Sequence, residues 1–201
     1  MSKSRNASAV PREAEVELVV PGEAHLPSYR DALVRGFSPS NLEAEAVRLN
    51  ELEAIAADPA EFLASMTDEA GDGPPFRQPD GSEHPRLPGI TRWMWDGDFC
   101  GSINLRWQPG ASELPDYVPG HIGYVVAEWK RRRGYATSAL GLLLEDARER
   151  GLEYVLLTAE EANVPSQRTI EANGGTMIGR FDAGDLHHSC EKAWLYRIDL
   201  T

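Results

Sequence analysis

Residues Tyr124 to Gly151 run YVVAEWKRRRGYATSALGLLLEDARERG, an apolar strand pattern, three consecutive arginines, one glycine and a helix pattern, with no gap between them. Ala136, Ala139, Leu140, Leu143 and Ala147 share one face of that helix, so it must bury the face against a sheet. Gly151 stops it, and a further apolar run, Tyr154 to Thr158, follows. The join between strand and helix has a chemical consequence as well. Successive N–H groups of a tight turn can converge on an anion, and the helix start adds its positive end. With Arg131, Arg132 and Arg133 beside Gly134, phosphate is the first ligand to consider. The plain alternative is a solvated basic loop.

The rest of the chain extends this pattern into an α/β (α+β) fold. Glu15 to Val20 reads as a first strand ended by Pro21-Gly22, Pro27 to Arg35 as a short helix, and Asn41 to Ala57 as a longer one. In the longer helix Leu42, Ala46, Leu49, Leu52 and Ile55 recur at helical spacing, and Asp58-Pro59 ends it. Glu61 to Met66 adds a turn. Residues 67–89 are rich in Gly, Pro, Asp and Arg and read as a long excursion of the lid or binding-loop kind. Ile90 to Trp95 and Phe99 to Trp107 flank Asp96-Gly97-Asp98, a hairpin signal. A strand at His121 to Ala127, a helix from Val164 to Ala172, a strand from Thr176 to Phe181 and a last strand from Ala193 to Ile198 complete a central mixed, mostly antiparallel sheet with helices on both faces. One domain over 14–201 is expected, preceded by a flexible segment at 1–13.

Charge and cysteine content narrow the function classes. A formal net charge of −12 disfavours a general nucleic-acid or membrane-surface role, which makes the arginine cluster stand out. The two cysteines, Cys100 and Cys190, form no disulfide framework and read as buried free thiols. MSKSRNASAVPREA lacks the apolar core of a secretory signal, and no apolar run reaches membrane-spanning length, so a soluble cytoplasmic protein is expected. His187, His188 and Cys190 sit close together but lack a distant fourth ligand, a weak basis for zinc. Trp93, Trp95, Trp107 and Trp129 fit core packing or the wall of a groove.

The turn Arg131-Arg132-Arg133-Gly134-Tyr135-Ala136, with the strand before it and the helix after it, resembles the acetyl-coenzyme A motif of the GCN5-related N-acetyltransferase (GNAT) superfamily. Asn163-Val164-Pro165-Ser166 resembles the family's Asn-x-x-Ser/Ala segment, and the likeness extends over roughly residues 14 to 199. It implies acetyl-CoA as acyl donor and a primary amine of a small molecule or peptide as acceptor, while the net charge argues against a nucleic acid or membrane partner. Relatives often pair, so a homodimer is compatible with it. Backbone groups of Val125, Val126 and Ala127 would pair with the pantetheine arm. The amides of Arg131 to Thr137, through Tyr135 and Ala136, would cradle the pyrophosphate, and Arg132 and Arg133 would reach phosphates. Asn163 and Ser166 would face the cofactor, or else cap and start a helix.

The resemblance also implies direct transfer, in which an amine attacks the thioester. Many relatives carry a tyrosine seven residues beyond the asparagine, and here Ile170 stands there, which cannot donate a proton. Tyr196, Ser166 or a water are the replacements, or the thiolate leaves unassisted because its basicity is modest. His121, at the start of the central strand, is the leading base, and a satisfied strand-start histidine is its alternative. Glu113 and Asp116 in the preceding loop would select a cationic amine, relay its proton or simply solvate the loop, and Glu128 would be structural or face solvent. Two other function classes remain: a non-catalytic acyl-CoA sensor, and a protein binding another phosphate ligand. The lack of a Gly-x-x-x-x-Gly-Lys-Ser/Thr loop counts against a nucleotide triphosphatase.

Overall fold

Gly97, at φ +99°, turns the chain between β5 (Gly89–Trp95) and β6 (Phe99–Arg106), the central hairpin. The computed structural model describes residues 16–41, 43–77, 81–181 and 192–200. Before the hairpin come β1 (Glu17–Val19), α1 (Leu26–Val34), α2 (Ala44–Ala57), α3 (Pro59–Ser65), and three two-residue strands, β2 (Thr67–Asp68), β3 (Phe76–Arg77) and β4 (Glu83–His84). After it come β7 (Ile122–Val126), a 3-10 turn at Glu128–Lys130, α4 (Tyr135–Glu149), β8 (Tyr154–Glu160), α5 (Val164–Ala172), β9 (Thr176–Phe181) and β10 (Ala193–Asp199). One sheet has the order β1-β5-β6-β7, all antiparallel, with β2 also on β5; a second has the order β8-β10-β9. The α4 crossover returns the chain so that β8 runs alongside β7 in the same direction, which makes the whole arrangement mixed.

Strand alternation divides the apolar residues between two cores. Ile90, Met94, Ile103, Leu105 and Ile122 face α4, whose Ala139, Leu140, Leu143 and Ala147 are fully enclosed. Each such leucine contributes about 1.5–3 kcal/mol by leaving water, and Leu140→Ala would cost about 2–5 kcal/mol. On the opposite face Trp93 stacks on Tyr29 of α1 at 4.4 Å, with Phe37, Phe62 and Phe99 around them.

Two expectations need correction. Of the expected apolar face of α2 only Ile55 is buried, Leu49 is 49% exposed, and Leu42 lies outside the described residues. The helix rests on α1 and α3 rather than on the sheet, so helical spacing found the helix but not its covering. Ala136 does not join Ala139 in the core, because the first turn of α4 overhangs a gap. The excursion at 67–89 is partly ordered by Asp68, whose carboxylate accepts the N–H groups of Gly71, Asp72 and Gly73 at 2.8, 3.1 and 2.9 Å. Among the described residues no helix is long and apolar enough to cross a membrane.

Candidate active site

β7 and β8 are neighbours without a shared ladder. They are joined at the start of β7, where the His121 N–H donates to the Leu156 carbonyl at 2.7 Å and the Leu156 N–H donates to His121 Nδ1 at 2.9 Å. Beyond that joint the strands part, leaving the outer edge of β7 open. The Ala127 N–H donates to the Cys100 carbonyl at 2.8 Å, which sets the phase of the β6–β7 ladder. By alternation the N–H groups of Tyr124 and Val126 then point away from β6 into the gap. The expected pairing edge at Val125 to Ala127 is therefore shifted. Val125 and Ala127 direct their N–H groups to β6, and Ala127 is fully buried.

A cavity of about 1570 Å³ opens from this gap. One end is the arginine turn. Gly134 sits at φ +83° and Arg132 at φ +62°, so the backbone reverses through two left-handed residues before α4 begins. The first helical bond there is Ser138 N–H to the Gly134 carbonyl, at 3.0 Å. Among the described residues the N–H groups of Arg132, Arg133, Gly134, Tyr135, Ala136 and Thr137 have no protein acceptor. Six unpaired donors at a helix start form an anion cradle. Arg131, Arg132 and Arg133 are exposed, and Arg131 Nε–H donates to the Val126 carbonyl at 3.3 Å. The Tyr135 side chain points away from the cradle and donates to Asp96, which also holds Lys130 at 2.8 Å. Burial pushes the Asp96 carboxyl up, but Lys130 and Tyr135 outweigh it and hold it at about 2. This cluster pins the turn to the β5–β6 hairpin.

Asn163 and Ser166 line the cavity across from the turn. Asn163 Oδ1 accepts the Ser166 N–H at 3.1 Å, so it caps α5. Ser166 Oγ is 2.8 Å from the hydroxyl of Tyr124, a residue that reading the sequence missed. Burial raises the Tyr124 pKa against the opposing Ser166 hydrogen bond, so the phenol is protonated at neutral pH and can donate. Nothing local marks Tyr124, since it shares a strand face with Ile122 and Val126 like any strand residue. Ile170, in the position where relatives carry tyrosine, is fully buried.

His121 does not fit the role of base. It is fully enclosed and forms no part of the cavity wall. With Nδ1 accepting an N–H, the neutral ring carries its proton on Nε2 and has no lone pair left for a substrate. Burial first, then the charge of Arg106, pulls its pKa down to about 4, while the Ser112 carbonyl opposes this without making a hydrogen bond to Nε2. Tyr196 is also misplaced for an acid: it is 3% exposed, absent from the wall, with its hydroxyl 3.5 Å from Glu171. Glu113 and Asp116 are exposed outside the wall, whereas Glu128 lies on it. None of the four tryptophans lines the cavity: Trp93 is core, Trp95 packs against His25, Arg35 covers Trp129 and Arg150 covers Trp107. Cys100 is buried and free, its thiol pushed up to about 12 chiefly by burial. His187, His188 and Cys190 lie outside the described residues, and among those described no group of side chains could hold a metal ion.

The sequence matches the family model described as "Acetyltransferase (GNAT) domain" over residues 49–176. The chain belongs to the GNAT acetyltransferase family. The matched span runs from α2 to the start of β9, and so includes the turn, the gap between β7 and β8, and the Tyr124–Ser166 pair. Solved structures with the GNAT fold agree. The chain is similar to the Microcin C7 self immunity acetyltransferase MccE, solved with acetyl-CoA and AMP, at 12% identity and a TM-score of 0.62, covering 92% of each chain. It is similar to RimL, the ribosomal L7/L12 alpha-N-protein acetyltransferase solved with coenzyme A, at 13% identity and 0.59, covering 92% of this chain and 93% of that one. RimJ of Mycobacterium smegmatis, solved with CoA-disulfide, gives 14% and 0.59, with 92% and 81% covered. No curated protein matches by sequence.

Proposed function

We propose that the protein transfers the acetyl group of acetyl-CoA to a primary amine of a small molecule or peptide. The observation that carries this reading is one cavity joining six unpaired N–H donors at the start of α4 to the free N–H edge of β7. The turn suits a pyrophosphate, with Arg131, Arg132 and Arg133 supplying charge. Tyr124, Val126, Asn163 and Ser166 follow along the wall for the pantetheine arm and thioester. A β7 N–H polarises the thioester carbonyl. The amine lone pair attacks the carbonyl carbon, the C–S bond breaks and its electron pair leaves on sulfur. The Tyr124 hydroxyl gives the thiolate a proton, with Ser166 replenishing it, and the amine's surplus proton passes to cavity water.

Calorimetric titration of acetyl-CoA into wild type and an Arg131→Ala/Arg133→Ala variant tests the cofactor half. Saturable binding that weakens at least tenfold in the variant supports the cradle, and absence of binding to folded wild type overturns it. A panel of amines tests transfer. Acetyl-CoA binding with no acetylation across the panel would favour a sensor of acyl-CoA instead.

A further inference from the structure

Thr91 on β5, Asn104 and Arg106 on β6 and Gly123 on β7 all line the cavity, on the sheet face that carries α1. Arg106 is the member without an evident structural partner. Its guanidinium reaches the Asn104 side-chain oxygen at a long 3.4 Å, and among the described residues no carboxylate pairs with it. On the opposite, α4 side of the sheet Arg92 pairs with Asp146, and Arg150 pairs with Glu69 and Asp146. Arg106 keeps some contact with the cavity's solvent, yet burial lowers its pKa, and among the described residues no anion opposes this. A desolvated charge without a counter-charge is unfavourable, and a ligand's anion would relieve it. Gly123 leaves room for one: a Cβ there would come within 3.4 Å of Asn104 Oδ1 and 3.7 Å of Arg106 Nη2. The one wall carboxylate on the α3 side, Asp68, is engaged with three N–H groups of its own loop.

We infer that Arg106, with Asn104 beside it, forms a subsite for an anionic group, carboxylate or phosphate, carried by the amine acceptor. This rests on the acetyl-transfer reading and narrows its acceptor. It also reverses the tilt toward a purely cationic amine that Glu113 and Asp116 gave. The planar guanidinium fork takes two oxygens of either anion at once. Gly123 is one to three strand residues from the free N–H groups of Tyr124 and Val126, about 3–10 Å along β7. A compact acceptor, with amine and acid group a few bonds apart, fits that span.

Inorganic phosphate, titrated into protein saturated with CoA so that the turn is filled, tests the subsite without turnover. Wild type should bind saturably, Arg106→Gln at least tenfold more weakly, and Arg106→Lys in between, each variant first shown to be folded by circular dichroism. Equal binding in wild type and Arg106→Gln, or none in either, overturns the subsite. Turnover of alanine against alaninamide, and of phosphoethanolamine against ethanolamine, then separates the two anions. At least a tenfold kcat/KM preference for the anionic member of one pair, expressed in KM and lost in Arg106→Gln, is expected; no preference in either pair overturns the assignment to the acceptor. Phosphate binding as expected with no amine acetylated would instead sink the acetyl-transfer reading and leave the anion site standing.

Discussion

With Nδ1 accepting the Leu156 N–H and no face on the cavity, the His121 ring works as a joint between β7 and β8. Its folded-state pKa of about 4 lies below the ordinary 6.5. The unfolded chain therefore takes up this proton first as the solution is acidified. The neutral ring's contribution is full above pH 6.5 and is lost as pH falls toward 4, with an upper limit of roughly 3 kcal/mol. His121→Asn, which keeps a side-chain oxygen near Nδ1, should flatten that loss in urea melts between pH 6.5 and 4. His121→Ala should be less stable than His121→Asn by about 1–3 kcal/mol, because it orphans a buried N–H. A catalytic base would show otherwise: kcat of folded His121→Asn would collapse. Tyr124 is the opposite case, an ordinary strand residue made chemical by its neighbour Ser166. Tyr124→Phe should lower kcat about tenfold or more with acetyl-CoA affinity nearly unchanged, as pre-steady-state kinetics and calorimetry would show. Unchanged kcat would remove Tyr124 from the mechanism.

The turn before α4 is held in shape by two left-handed residues of different kinds. A Cβ at Gly134 meets nothing within 4 Å, so Gly134→Ala is penalised by φ +83° rather than by crowding. It should cost about 1–2 kcal/mol and weaken acetyl-CoA binding by reshaping the cradle. Arg132 already bears such strain at φ +62°. Arg132→Gly should then be neutral to about 1 kcal/mol more stable, while its loss of one cation reduces both affinity and the sensitivity of binding to salt. Thermal melts beside calorimetry at two ionic strengths distinguish these outcomes. Elements of this kind were legible in the chain. The Asp-Gly hairpin, the apolar face of α4 and the limits of α5 at Val164 and Ala172 follow from local propensity and period. The covering of α2 was not legible, because spacing records which side chains could face a partner and not whether one is there.

At the scale of the molecule, two sheets meet through α4, α5 and the His121–Leu156 joint, with the cavity between β7 and β8. A ligand filling the gap links the two sheets. At a hundred times its Kd, acetyl-CoA should add about 2.7 kcal/mol, a rise of roughly 5–10 °C in Tm for a chain of this size. The rise should shrink in the Arg131→Ala/Arg133→Ala variant. No rise at saturation would show that acetyl-CoA does not prefer the folded state. What the sequence determined alone was the order of elements and the GNAT turn, because a turn, a glycine and a helix start act through neighbours in the chain. Tertiary structure alone decided which groups face the cavity. It closed His121 and Tyr196 into the core, moved the open edge to Tyr124 and Val126, set Ser166 against Tyr124, and left Arg106 without a counter-charge among the described residues. Burial, ladder phase and desolvation arise from contacts between residues far apart in sequence, and no local pattern encodes them.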